Sequence, residues 1–286
     1  MQLKELKTQF VTELSGLYPS EEVQSFFNLL AEYMLKYTRL DIALKTAEVI
    51  SEENQQQFQE ATLRLKQFEP IQYIIGETEF YGFNFKVTPA TLIPRPETEE
   101  LVQWMVDEYK TAQPNESTRI LDIGTGSGCI AIALAKSVSQ AHVSALDFSK
   151  EALAIAQANA QANRAPVTFV ELDILKTNAL PGTYDLIVSN PPYVRDLEKK
   201  MMQPNVLSFE PESALFVSDS DPLLFYRKIA ELGKQHLTSD GRLFFEINEY
   251  LSKELAELLA SIGYSEITVK KDIFGKDRML SCRWTV

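Results

Sequence analysis

The chain has 286 residues, 45% of them apolar and 24% charged, an ordinary balance for a globular protein and a length that suits two domains better than one. Lysine and arginine total 28 against 40 aspartate and glutamate, a formal charge of −12. That balance argues against nucleic acid as the principal substrate, since neutralising phosphates calls for a basic face.

The opening residues Met1 to Phe10 alternate charged and apolar side chains and hold no signal-peptide core. The longest apolar stretches, such as Cys129 to Ala135, are too short to span a bilayer. Cys129 and Cys282 suggest neither a disulfide framework nor a metal-ligand spacing, so a cytoplasmic location and no membrane partner are expected. From Leu3 to Phe68 the apolar residues recur at helical spacing, as in Val23, Phe26, Phe27, Leu30, Tyr33, Met34 and Tyr37. Ser20 before Glu21-Glu22, and Ser51 before Glu52-Glu53, read as helix N-caps with acidic first turns. No proline or glycine interrupts residues 20 to 69, and a bundle of four or five helices is expected over residues 1–72.

At Thr78 to Thr88 two aromatic-rich runs flank Gly82, the pattern of a β-hairpin serving as a connector over residues 73–90. Pro89, Pro94 and Pro96 mark the entry to a second domain, residues 91–286. There strand-like and helix-like segments alternate. Arg119–Ile123, Val143–Asp147, Val167–Asp173, Tyr184–Ser189 and Arg242–Ile247 read as strands. Helices are expected at Cys129–Ser137, Lys150–Asn163, near Pro222–Gln235 and at Leu251–Ile262, with late strands at Glu266–Lys270 and Arg278–Trp284. The alternation predicts an α/β, doubly wound, mostly parallel sheet.

Asp122-Ile-Gly124-Thr125-Gly126-Ser127-Gly128 follows the first of these strands and opens a helix. Glycines there allow a ligand to approach the backbone closely. The spacing is G-x-G-x-G rather than the G-x-G-x-x-G of dinucleotide binding, whose last glycine would fall at Cys129, and no GKS or GKT is present. Asp147 ends the next strand about 20 residues on, where a carboxylate can accept the hydroxyls of a ribose; taken alone, it could equally cap the helix that begins at Ser149. Asn190-Pro191-Pro192-Tyr193 follows the apolar run Tyr184–Ser189, at the carboxyl end of a buried strand where open α/β sheets place ligands. Two prolines forbid a helix and remove two N–H donors, and Asn190 is kept out of the α region by the proline after it. The result is a stiff turn rich in acceptors, suited to holding a planar NH2 group by its hydrogens. A nucleoside cofactor without a pyrophosphate grip, beside such a turn, points to S-adenosyl-L-methionine.

The series Leu121 to Ile130, Asp147 and Asn190 to Tyr193 resembles the seven-stranded class I methyltransferases that modify exocyclic or amide nitrogen. Within them, Pro70 to Gly76 (PIQYIIG), Ile93 to Glu99 (IPRPETE), Phe209 to Leu215 (FEPESAL) and Lys271 to Arg278 (KDIFGKDR) are similar to the peptide chain release factor N5-glutamine methyltransferases. The resemblance covers nearly the whole chain and implies methyl transfer to the glutamine side chain of the Gly-Gly-Gln loop of class 1 release factors, with S-adenosyl-L-homocysteine as the other product. It implies that Gly124, Thr125, Gly126, Ser127 and Gly128 approach the methionine portion, that Asp147 binds the ribose, and that Asp173 and Ile174 lie beside the adenine. Ile174 stands where the family often has an aromatic residue, so apolar contact is expected in place of stacking. Asn190, Pro191, Pro192 and Tyr193 form the substrate and catalytic turn, with Asn190 facing the cofactor too and Tyr193 packing on the amide or shaping the wall. Arg95, Glu97 and Glu99 are read as organising the domain junction or, equally, as an ordinary helix start at Pro96, and Phe209 to Pro211 as lining the substrate pocket. The N-terminal bundle is assigned to recognition of the partner protein, and a monomer is expected. The same turn on an unpaired base would make the chain a nucleic-acid exocyclic amino methyltransferase, which the acidic charge disfavours. A nicotinamide oxidoreductase is disfavoured by the glycine spacing, and a binding module without catalysis would leave the Asn-Pro-Pro-Tyr turn unexplained.

Overall fold

The computed structural model describes residues 1–112 and 117–285. It divides into two compact units, Met1–Gly76 with Gln203–Phe209, and Glu77–Met202 with Glu210–Val286. No helix among the described residues is long and apolar enough to cross a membrane.

The first unit contains α1 (Leu3–Leu14), α2 (Ser20–Leu35), α3 (Arg39–Leu44), α4 (Glu52–Lys66) and α5 (Ile71–Ile75). Phe10, Phe27 and Phe58 meet at its centre, with Phe10–Phe27 ring centroids 5.6 Å apart and Phe27–Phe58 5.4 Å apart. Ser51 caps α4, its hydroxyl accepting from Asn54 N at 3.2 Å. Ser20 does not cap: Pro19 takes that position, and Ser20 is the first helical residue. The stretch breaks into separate helices without glycine or proline because Lys36 adopts a left-handed φ of 57° and Thr38 then restarts the chain. Thr38 and Asp41 exchange hydrogen bonds as a capping box, Asp41 N reaching Thr38 Oγ1 at 3.2 Å.

The second unit opens with the hairpin β1 (Glu77–Phe80) and β2 (Phe83–Lys86), which turn through Tyr81 and Gly82, both at positive φ. After α6 (Pro96–Ala112) come β3 (Arg119–Ile123), α7 (Cys129–Ser137), β4 (His142–Asp147), α8 (Lys150–Ala162), β5 (Val167–Glu171) and β6 (Tyr184–Ser189). Two short strands, β7 (Val194–Arg195) and β8 (Phe216–Val217), pair in parallel, with a 3-10 helix (Asp196–Met201) and α10 (Glu212–Leu215) between them in sequence; α9 (Pro204–Phe209), in the same stretch, belongs to the first unit. The chain ends with α11 (Leu224–His236), β9 (Leu237–Glu246), α12 (Ser252–Ile262), β10 (Ser265–Lys271) and β11 (Asp277–Arg283). Strand β9 begins at Leu237 rather than Arg242, because Leu237 already pairs with Tyr184 ahead of a register shift.

The sheet has seven strands in the order β10-β11-β9-β6-β3-β4-β5, with β9, β6, β3, β4 and β5 parallel and β11 antiparallel to both neighbours. Successive side chains of each strand face opposite layers, so Ile120, Val188 and Phe244 pack with α6 and α7 while Leu121, Ile187 and Phe245 pack with α11 and α12. This two-sided burial is why the strands read as short continuous apolar runs. Ile123 pairs with Leu146 on one side and Ser189 on the other, so three strands end side by side and release their loops at one edge.

Asp122 sits one residue before that edge, fully buried. Its Oδ2 accepts from Thr125 Oγ1 at 2.6 Å, and its Oδ1 has no hydrogen-bond partner among the described residues. Burial pushes this carboxyl up to about 7. The folded state therefore holds the proton more tightly than the unfolded chain, and the stability this gives is complete below the unfolded value of about 3.9 and is lost as pH rises toward 7. Asp122→Asn removes that loss. The melting temperature of the variant minus that of the wild type should increase between about pH 5 and about pH 8; an unchanged or shrinking difference would contradict the assignment.

Candidate active site

The glycine loop is built on β3 and pinned to β4. Gly124 N and Thr125 N donate to Leu146 O at 2.9 and 3.0 Å, and Gly126 N donates to Asp147 Oδ2 at 2.9 Å. Gly126 has φ +56°, and a Cβ there would meet nothing within 4 Å, so the residue leaves the backbone open to a ligand. Gly128 is required for a different reason: a Cβ would come 3.1 Å from both Ala156 and Ile132, blocking the approach of α7 to α8. Asn159 on α8 adds a further tie, donating to Ser127 O at 2.9 Å and exchanging bonds with both backbone groups of Lys86.

Asp147 is 7% exposed, and burial pushes its carboxyl above the ordinary aspartate value. Its Oδ1 accepts from Ser149 N at 3.0 Å and its Oδ2 from Gly126 N. The α8 cap is Ser149, whose hydroxyl accepts from Ala152 N at 3.1 Å. Each carboxylate oxygen of Asp147 therefore keeps lone-pair capacity for a ligand hydroxyl.

A cavity of about 340 Å³ opens at the carboxyl edge of the sheet, within the ~300–1,000 Å³ range of small-molecule sites. Gly124, Thr125, Gly126, Ser127, Asp147, Asp173, Ile174, Asn190, Pro191 and Pro192 all line it. Gly128 and Tyr193 are not among the lining residues. Asp173 is fixed by Lys176, whose ammonium lies 2.8 Å away and holds the carboxyl below its ordinary value, and by Leu175 N at 3.0 Å. Ile174 is buried in the apolar layer with Leu146 and Leu180.

The Asn190-Pro191-Pro192-Tyr193 turn leaves β6 beside β3, where Ser189 Oγ donates to Ile123 O at 2.7 Å. Asn190 Nδ2 lies 3.4 Å from Thr98 Oγ1, on the first turn of α6. Tyr193 turns away from the cavity. Its ring packs against the layer holding Tyr226 and Phe245, and its hydroxyl donates to Glu246 Oε1 at 2.9 Å. Glu246, 1% exposed, also accepts from Thr98 Oγ1 at 2.6 Å. Burial raises its carboxyl, while these hydrogen bonds and the nearby Arg278 pull it back.

Pro94, Arg95 and Thr98 of one further segment and Pro211, Ser213 and Ala214 of another line the cavity, whereas Phe209 and Glu210 are not among the lining residues. Glu210 accepts from Ile93 N at 3.1 Å and pairs with Arg95 at 2.5 Å. Glu99 serves the hairpin, accepting from Tyr81 N at 2.9 Å. Neither histidine is a lining residue. His236 is structural: Nδ1 donates to Gly182 O at 2.7 Å, and Nε2 accepts from Leu180 N at 3.1 Å.

Sequence reasoning missed Thr98, Phe148 and Glu246. Phe148 lines the cavity and is 55% exposed, an apolar residue placed just beyond a strand end next to Asp147. Glu246 had a signal of its own, an acid within the apolar run of β9, which must find donors if it is buried. The donor set fits S-adenosylmethionine: free backbone at the loop, a carboxylate with spare acceptor capacity, apolar walls at Phe148 and Ile174, and a buried Ser127 hydroxyl without a partner among the described residues.

Residues 5–76 match the PrmC N-terminal domain family, and residues 101–208 match the methyltransferase small domain family. The release factor glutamine methyltransferase of Flavobacterium psychrophilum is 49% identical over 98% of both chains. That of Bacteroides thetaiotaomicron is 48% identical over 94% of this chain and 95% of its own. Among solved structures, a methyltransferase from Pyrococcus furiosus aligns with TM-score 0.52 at 17% identity, over 82% of this chain and 100% of that one. The catalytic domain of hMettl16, solved with an RNA hairpin, aligns with TM-score 0.56 at 17% identity over 82% of each; both likenesses bear on the fold alone. A nucleic-acid methyltransferase is not favoured, since the near full-length relatives carry release-factor names. With identity this high over nearly the whole length, the chain belongs to the release factor glutamine methyltransferases, enzymes dependent on S-adenosylmethionine.

Proposed function

We propose that this chain methylates the side-chain nitrogen of the glutamine in the Gly-Gly-Gln loop of class 1 release factors, with the Asn190-Pro191 turn as the amide clamp. The observation that carries the reading is the junction of that turn with the glycine loop and Asp147 in one cavity. Bound there, S-adenosylmethionine supplies an electrophilic sulfonium methyl. Gly124 to Ser127 bind its methionine portion, Asp147 its ribose, and Phe148, Asp173 and Ile174 border the adenine.

An amide nitrogen is a weak nucleophile because its lone pair is delocalised into the carbonyl. Asn190 Oδ1 and the Pro191 carbonyl each accept one amide hydrogen, which aims the nitrogen and its π lone pair at the methyl group; as the N–C bond forms the S–C bond breaks to leave S-adenosylhomocysteine, and the surplus amide proton is released to water. Alignment of this kind supplies much of the acceleration. The same two oxygens place partial negative charge beside the positive charge that develops on nitrogen. Pro191 and Pro192 keep the acceptors stiff and donor-free. Tyr193 acts behind the turn, through its bond to Glu246.

In this reading residues 1–72 dock the release factor, residues 73–90 connect, and residues 91–286 carry the chemistry, in a cytoplasmic monomer. The distinct PrmC N-terminal domain match over residues 5–76 supports a separate role for the helical unit.

Asn190→Ala should lower the rate of methyl transfer on the order of 10²-fold or more while largely retaining the binding of S-adenosylmethionine. Single-turnover kinetics with calorimetry of cofactor binding measures both, and a wild-type rate would remove Asn190 from the mechanism. Incubation with methyl-labelled S-adenosylmethionine and release factor, followed by peptide mapping, should place the label on the Gly-Gly-Gln peptide. Label confined to another peptide would refute the substrate.

A further inference from the structure

We propose that Thr98 and Glu246 are positioning residues that set which way round the Asn190 amide faces the cavity. This rests on the reading of Asn190 as the substrate's acceptor. An asparagine side chain carries an oxygen on one side and an NH2 of nearly the same shape on the other, so packing alone does not choose between them. Only the oxygen can take a substrate N–H.

The choice is made by hydrogen-bond polarity that begins at Glu246. Each oxygen of the Glu246 carboxyl takes one hydroxyl as its donor. Thr98 Oγ1, 2.6 Å from Oε2, and Tyr193 Oη, 2.9 Å from Oε1, are therefore both donors. A threonine hydroxyl has a single hydrogen, and here it is committed to Glu246. Toward Asn190, 3.4 Å away, Thr98 can only accept, and only Nδ2 can donate. Oδ1 is left for the cavity. The reversed amide would set Oδ1 against the Thr98 lone pairs with no hydrogen between them. Thr98 is 2% exposed and Glu246 1%, so the bond between them is buried. Glu246 is itself immobilised: its carbonyl accepts from Tyr226 Oη at 3.0 Å, and it pairs with Met279 across the sheet. The pair touches no reacting atom. It converts a two-fold ambiguous side chain into a directed acceptor, which is the pre-organisation that transition-state stabilisation needs.

The test compares Thr98→Val, Thr98→Ser and Asn190→Ala in the full chain, with release factor and labelled S-adenosylmethionine. Valine keeps the volume and removes the hydroxyl. Thr98→Val should lose roughly 10- to 100-fold in kcat, with cofactor affinity and the KM for release factor changed less than about threefold. Thr98→Ser should restore kcat to within about threefold of wild type. Should Thr98→Val fail to fold, as judged by cofactor binding, Thr98→Cys takes its place, with a thiol that is a weak donor and a weak acceptor. A wild-type kcat in the hydroxyl-free variant, beside an inactive Asn190→Ala, would overturn this inference and leave the role of Asn190 standing. An equal loss in Thr98→Ser, or a loss confined to KM, would also overturn it. Wild-type activity in Asn190→Ala would instead refute the reading of the turn itself.

Discussion

Taking a carboxylate out of water is costly unless donors meet it, and a half-satisfied buried acid is worse than an apolar residue of the same size. Glu246 ends β9 almost without exposure, and its two oxygens are met by hydroxyls from α6 and from the turn after β6. Neither Thr98 nor Tyr193 can move far without leaving that acid unpaired. The position of the Asn190-Pro191 turn against α6 follows from this constraint. Tyr193 is held by burial as well, which together with Glu246 pushes its phenol far above the ordinary tyrosine range and keeps it a donor.

A second constraint places the glycine loop and Asp147. The parallel register of β4, β3 and β6 aligns Leu146, Ile123 and Ser189, so the loops that follow them must emerge as neighbours. The glycine loop lies over the end of β4 because its amides need acceptors, and Leu146 O and the Asp147 carboxylate provide them. The two halves are built on different principles. The glycine-loop side is backbone and glycine. The Asn190-Pro191 side is a rigid acceptor turn backed by a buried hydrogen-bond chain.

Much of this was legible in the chain. The alternation of short apolar runs with helical segments predicted the doubly wound sheet, because parallel strands covered on both faces lose their period-two pattern. The glycine spacing and Asp147 marked a loop and a carboxylate that line one cavity, since both signals lie within one strand-loop-helix-strand unit. Asn190-Pro191-Pro192 was legible because proline constrains the backbone wherever it occurs. The direction of Tyr193 was not: an aromatic residue beside a candidate pocket reads the same whether it faces the ligand or the core. Its partner Glu246 is 53 residues away, and Thr98 is 148 residues from Glu246, separations over which local pattern carries no information. Glu210 and Arg95, 115 residues apart, stood out as separate motifs, but nothing in either revealed that they pair. Ser20 failed as a cap because Ser51-like composition does not reveal that Pro19 takes the capping position.

The central claim is that the glutamine amide is held by its two hydrogens between Asn190 Oδ1 and the Pro191 carbonyl. A crystal structure of the protein with S-adenosylhomocysteine and a Gly-Gly-Gln peptide tests it most directly. The account predicts the glutamine side-chain nitrogen within hydrogen-bond distance of both oxygens, with Asn190 Nδ2 still on Thr98. A glutamine bound through its carbonyl oxygen to Asn190 Nδ2, or an amide seated away from the turn, would contradict it.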